Sequence, residues 1–317
     1  RMSVKRNSLS CFLCTLIAFS LVSCSSLKKK HYSPKDDQYW AELVEESTHS
    51  KKSILAVLEI KNPALYNQIL NDSKDSALLN FWGQSLNFDS GAKKKILPDQ
   101  LISDLQAQFG IKNDNMIVHA GITHTYGYLF SILETPYGFK RKRWTEPTLN
   151  YAFNFNGNVL SPETMEGGLL SNITYFAGTL AFKNMIERQA LKNLKNVSNE
   201  VLHFDYSKLS VEVLEEQIIG GAGDQITLRT TLVRLPFKRE GEENDYLLIY
   251  SVLNPKKKKE VLITAFPIKK DAYKKITARE SLGVNQPIIV RYNAYLEGLM
   301  EQKLTGVKKI SEDSVRN

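Results

Sequence analysis

Cysteine is confined to the first 24 residues, at Cys11, Cys14 and Cys24, and none follows in the rest of the 317-residue chain. A body without thiols forms no disulfide and hosts no cysteine nucleophile, thiol redox pair, Cys-ligated zinc or iron–sulfur cluster. Its stability has to come from buried apolar area. Catalytic signatures are as scarce: no Walker loop, HExxH, GxSxG or EF-hand series occurs. Gly83-Gln84-Ser85-Leu86-Asn87 lacks the second glycine of a nucleophile elbow, so Ser85 reads as an ordinary serine. Gly220-Gly221-Ala222-Gly223 precedes a strand pattern where a phosphate loop needs a helix, and it reads as a turn between strands. No cofactor and no metal are therefore expected. A Pro/Gly/Ser-rich linker and tandem repeats are also missing, so nothing divides the body into separate domains.

What is present is an ordinary globular composition, 42% hydrophobic and 24% charged, which argues against disordered, collagen-like and polytopic membrane classes. The formal charge of +8 comes from 42 Lys and Arg against 34 Asp and Glu. It is spread in short clusters, among them Lys28–Lys30, Lys93–Lys95, Lys140–Arg143, Lys256–Lys259, Lys269-Lys270 and Lys274-Lys275. Such clusters read as solvated loops before they read as sites.

The N-terminus carries Arg1, Lys5 and Arg6 with no acid before Cys24, and Leu9–Val22 is an apolar run broken only by Ser, Thr and Cys. This is the n-region and h-region pattern of a secretory signal, too short for a comfortable permanent span. Leu21-Val22-Ser23-Cys24 resembles the lipobox of bacterial lipoprotein signal peptides. The resemblance covers these first residues alone. It implies a signal peptide over 1–23, cleavage before Cys24, and a diacylglyceryl group on the Cys24 sulfur, with residues 24–33 as anchor and tether. Several acyl chains hold firmly, because each buried methylene adds about 0.8 kcal/mol. Ser25 in place of Asp after the cysteine resembles outer-membrane sorting, so the expected location is the bacterial envelope, at the outer membrane facing the periplasm. Cleavage would remove three positive charges, 8 − 3, leaving +5. Lys28–Lys30 could touch anionic headgroups. Although the sequence pI is about 9.1, an exported, anchored protein rarely meets nucleic acid, and none is expected as a partner.

The fold class expected is α+β, with a mainly helical region over 34–110, an antiparallel β-rich body over 111–303 and a polar tail over 304–317 that frays. Start signals at Ser33-Pro34, Asn62-Pro63 and Asp75-Ser76 precede apolar faces, and Pro98–Phe109 stops at Gly110. Ile54–Ile60 fits helix or buried strand equally. Strands are expected over Met116–Leu133, Phe139–Thr145, Tyr151–Phe155 and Leu169–Thr179, then a helix from Phe182 to Val197. Four consecutive antiparallel strands follow at Val211–Ile219, Gln225–Leu235, Tyr246–Leu253 and Glu260–Ile268, a helix at Asp271–Glu280, and a strand beginning at Pro287. Tyr246–Leu253 is apolar on both faces and belongs inside a covered sheet.

Potential chemistry is densest at His119–Tyr128 and Tyr137–Trp144. His119 and His124 fall on opposite faces of a regular strand, so a shared metal would require a bulge, and a structural histidine is the plainer state of each. In a hairpin turning at Pro136, His124 and Tyr126 would stand beside Arg141, Arg143 and Trp144 on a basic aromatic edge able to hold an acidic ligand. Core packing of the aromatics and solvated charge is the plainer account. Two function classes stand: a non-catalytic lipoprotein that binds an acidic envelope ligand or scaffolds envelope proteins, and an envelope enzyme using His124 or His119 as general base on an anionic substrate. The absence of any nucleophile, metal set or cofactor loop favours the first.

Overall fold

A computed structural model of the chain describes residues 36–89, 92–112, 116–135, 138–139, 141, 148–163, 166–219, 225–254, 258–278, 294–295 and 307–309. All of these fall in one compact unit, Pro34–Asn317.

The expected helical region is observed as three consecutive helices and a fourth set apart. Helix α1, Asp37–Ser50, buries Trp40, Leu43 and Ser47, with Asp36 rather than Ser33 at its N-cap. The ambiguous segment becomes helix α2, Ile54–Lys61, because Ser53 accepts the Ala56 N–H at 3.2 Å and fixes a helical start. Asn62 then caps helix α3, Pro63–Ser73, accepting Leu65 N–H at 3.1 Å ahead of proline at the first position. Helix α4, Asp99–Gln108, buries Leu101, Ile102 and Leu105 as its spacing predicts, and Gly110 follows in the left-handed region at φ 72°.

Three expected strands are helical instead. Within Met116–Leu133 only β2, Ile117–His119, is extended; helix α5, Ala120–Thr125, and a 3₁₀ turn, Gly127–Phe130, replace the rest. Every residue from Ala120 to Phe130 is buried. A helix covered all round shows neither a period of 2 nor a polar face, so its β-branched and aromatic composition misleads. Gly121 marks the packing: a Cβ there would lie 2.7 Å from the Trp82 ring. Leu169–Thr179 is likewise a helix, α7, Leu169–Ala181, buried on nearly all sides. Tyr151–Phe155 gives way to the short helix α6, Thr148–Ala152, and a turn with Asn154 at φ 56°. The expected helix over Phe182–Val197 is reduced to α8, Met185–Leu191, followed by α9, Asn199–Leu202, and a 3₁₀ turn, Tyr206–Lys208.

Strand β3, Glu134–Thr135, pairs antiparallel with β4, Gly138–Phe139; residues 140 and 142–145 of the expected return strand lie outside the described residues. Strand β1, Gln84–Leu86, lies between β2 and β9, Ala294–Tyr295, in an antiparallel sheet. Ser85, at its centre, is fully buried.

The four C-terminal strands form as the sequence predicts: β5 (Val211–Ile219), β6 (Gln225–Arg234), β7 (Asn244–Asn254) and β8 (Lys259–Lys269) are an antiparallel meander. The glycines between β5 and β6 lie outside the described residues. Strand β10, Val307–Lys309, from the stretch expected to fray, pairs with β5 and completes the order β10-β5-β6-β7-β8. Strand β7 is an interior strand with Leu247–Tyr250 buried on both faces. Val233, Leu247, Ile249, Leu262 and Ala265 join the main core with the helices, while Leu214, Leu232, Leu248 and Ile268 pack on Ile276 of helix α10, Lys270–Thr277. The two sheets touch where Gly83 N–H donates to Leu262 O at 2.9 Å. This is an α+β fold.

Candidate functional site

The histidines of the expected site are interior. His119 ends β2 and caps α5: its Nδ1 accepts Ile122 N–H at 3.4 Å, and its Nε2 meets the Leu79 carbonyl at 3.1 Å. Burial drives its pKa down to about 4, with Lys259 adding to the effect. A ring with both nitrogens engaged and little affinity for a proton near neutrality is a poor general base. His124, in the last turn of α5, is 2% exposed and packs 4.5 Å from the Tyr128 ring. His119 closes a strand while His124 sits on the helix that follows, so the two histidines do not share the regular strand that their alternation assumes.

Tyr126 is fully buried and donates its hydroxyl to Asp72. Arg141 is 4% exposed. Its Nε donates to Asp37 Oδ1 at 2.9 Å, its Nη1 donates to Ser131 O at 2.8 Å, and its guanidinium lies 3.8 Å over the Phe139 ring. Arg143 and Trp144 lie outside the described residues. His124, Tyr126 and Arg141 are therefore core and near-core groups, each occupied by protein partners or packing. Among the described residues, no group of three or more His, Cys, Asp or Glu side chains is placed to hold a metal ion.

An open cavity of about 460 Å³ lies elsewhere, at one end of the large sheet. Lys208, Leu209 and Ser210 lead into β5 on one side; Arg234, Leu235, Pro236 and Lys238 leave β6 on another; Asn244, Asp245 and Tyr246 open β7, and Lys270 opens α10. Antiparallel pairing brings these ends together, since Arg234 is registered against Tyr246, Arg234 N–H donates to Ser210 O at 3.0 Å and Leu235 N–H to Asp245 O at 2.9 Å. The Tyr246 ring is fixed by stacking on Tyr273, centroids 4.0 Å apart and 4° from parallel.

The lining carries four cationic side chains against one carboxylate. Asp245 is already engaged by Lys238 Nζ at 3.0 Å and by the Lys270 backbone N–H at 3.1 Å. Lys208 pairs with Asp205 at 3.1 Å, outside the lining. The Arg234 and Lys270 side chains have no ion-pair partner among the described residues, which leaves an uncompensated positive field over the opening. A guanidinium offers a planar fork to a carboxylate or phosphate, the lysine a point charge, and Asn244 and Ser210 supply neutral hydrogen-bonding groups.

Comparison of the chain with family models, curated proteins and solved structures returns no match.

In the sequence Lys269-Lys270 reads only as a lysine cluster, and nothing local to Arg234 marks it as a ligand contact. The available signal was topological: a hairpin of β6 and β7 places the last residue of one beside the first residues of the next.

Proposed function

We propose that the protein is a non-catalytic bacterial envelope lipoprotein, anchored through lipidated Cys24 at the outer membrane and facing the periplasm, whose body binds an acidic ligand at the end of the large sheet. The anchor is supported by the lipobox-like Leu21-Val22-Ser23-Cys24 and the signal pattern before it. No described helix is long and apolar enough to cross a membrane. The ligand class is carried by one observation: Arg234 and Lys270 line an open cavity and have no ion-pair partner among the described residues. A phosphate or carboxylate group there would complete the charge balance that Asp245 leaves unfinished. Titration calorimetry with inorganic pyrophosphate and with glucuronate tests the reading on the intact protein. Binding that weakens with added salt and falls roughly tenfold in an Arg234→Ala, Lys270→Ala variant supports it. Failure of both probes to bind the intact protein overturns it.

A further inference from the structure

Helix α8 opens on two large apolar side chains that face outward, Met185 at 60% and Ile186 at 69% exposure. Their position is fixed by the start of β8. Lys183 and Asn184 N–H groups donate to Glu260 Oε2 at 3.0 and 3.5 Å, Asn184 Nδ2 donates to Lys258 O at 3.3 Å, and Glu260 N–H donates to Glu187 Oε1 at 3.2 Å. The apolar pair is thereby held beside Lys258 and Lys259.

The local acids are turned to internal duties. Glu260 is buried against Arg229, Glu215 is shared by Arg229 and Lys183, and Glu187 binds the Glu260 backbone. Arg188, Lys192, Lys258 and Lys259 are exposed and have no ion-pair partner among the described residues. Lysine is depleted at protein–protein interfaces but is drawn to anionic bilayers, where each basic residue near the surface strengthens binding about fivefold. An exposed apolar pair beside cations that have no ion-pair partner among the described residues matches the second environment, with apolar tips entering the headgroup boundary and cations contacting phosphates.

We propose that this corner of the body docks on an anionic phospholipid surface, through Met185 and Ile186 as the inserting groups and Arg188, Lys192, Lys258 and Lys259 as the phosphate contacts. The proposal is independent of the acidic-ligand cavity, and lipidation would only raise the frequency of the encounter.

The test measures amide hydrogen exchange over 185–192 and 258–262 in the full chain, mixed with vesicles of phosphatidylcholine alone or of phosphatidylcholine with phosphatidylglycerol. Exchange should slow several-fold on the anionic vesicles only, and the protection should vanish at high salt. Lys258→Gln with Lys259→Gln should weaken docking by roughly 25-fold, at about fivefold per lysine. Met185→Ser with Ile186→Ser should abolish the protection while leaving the thermal midpoint unchanged, because both side chains are solvent-facing. A Cys24→Ala chain that no longer floats with neutral vesicles yet keeps the anionic-specific protection separates docking from anchoring. Equal exchange on both vesicle types overturns the proposal. Protection that instead depends on protein concentration without lipid would assign the surface to a second copy and overturn it as well.

Discussion

Tyr126 donates its phenolic hydrogen to Asp72, a carboxylate 54 residues earlier in the chain, and both side chains are completely buried. The same carboxylate accepts the Ser171 hydroxyl, Leu170 N–H at 2.9 Å and Ser171 N–H at 3.3 Å. One side chain of α3 therefore ties the end of α5 to the first turn of α7, satisfying two of the N–H groups that a helix start leaves unpaired and meeting its positive end. Gly168 lets the chain pass: a Cβ there would fall on the Asp72 carboxylate. Tyr126→Phe removes one of four donors and should lower unfolding free energy by about 1–2 kcal/mol. Gly168→Ala should cost at least as much through forced displacement, about 1–3 kcal/mol. Denaturant titration of both variants checks the order.

Burial pushes the Asp72 pKa from 3.8 up to about 6, against the opposing pull of its hydrogen bonds from Ser171, Tyr126 and Leu170. The folded state then holds a proton between pH 4 and 6 that the unfolded chain has released. This group's contribution to stability is greatest below pH 4, declines as pH rises through 6, and is flat above it. The expected fall is roughly 3 kcal/mol over that window. It appears as the pH dependence of the difference in unfolding free energy between the native protein and Asp72→Asn, which has no proton to lose. A difference that stays flat from pH 4 to 7 would show the carboxylate charged throughout.

A second buried charge site joins α7 to the sheet. Arg229 pairs with Glu260, donates to Glu215 Oε1 at 2.8 Å and to Ala181 O at 3.2 Å, with Arg229 and Glu260 side chains 3% and 1% exposed. Burial pulls the Glu215 pKa upward, but the hydrogen bonds from Lys183 and Arg229 hold it below the ordinary value. Arg229→Met strands the Glu260 charge and should cost about 3–5 kcal/mol. Adding Glu260→Gln to that variant should restore part of the loss, because the unpaired charge is gone. A double mutant no more stable than Arg229→Met alone would place the cost in packing.

The C-terminal meander was legible because each of its strands carries enough β-branched and apolar residues between turn signals, and Tyr246–Leu253 reads as covered on both faces. Helices α3 and α4 were legible from capping and spacing. Helices α5 and α7 were not, because burial on all sides erases the periodicity that separates helix from strand, and Ile, Thr, Tyr and Phe then argue for strand on composition alone. Reading Met116–Leu133 as one strand also places His124 and Tyr126 on one face by alternation, whereas the helix puts them two positions apart around its axis. The cavity was invisible for a different reason: its cations come from the ends of separate elements and become neighbours only once the strands pair.

The lipobox-like segment carries its own expected outcome. Cys24→Ala should stop formation of the lipidated species, seen as loss of fatty-acid labelling and of the mature size on gels. Because no cysteine follows Cys24, the thermal midpoint of the processed protein should be the same with and without reductant. A reproducible shift with reductant would mean that Cys11 or Cys14 survives processing.

Arg141 offers the sharpest separation of structure from binding. Its side chain is 5% exposed, while its partner Asp37 keeps 30% of its surface in water. In Arg141→Ala, Asp37 can recover part of its hydration, but the Ser131 carbonyl loses the donor at 2.8 Å and Phe139 loses the cation above its ring. The expected loss is therefore about 1–3 kcal/mol, below that of a fully buried pair. Arg141→Lys keeps the charge without the planar fork and should recover only a fraction of it. A double-mutant cycle with Asp37→Asn should give a coupling energy on the order of 1 kcal/mol. Pyrophosphate and glucuronate titrations of the same Arg141→Ala protein should match the native curve, since this arginine does not line the cavity at the end of the sheet. Weakened probe binding with unchanged stability would return Arg141 to the ligand site and remove it from the core.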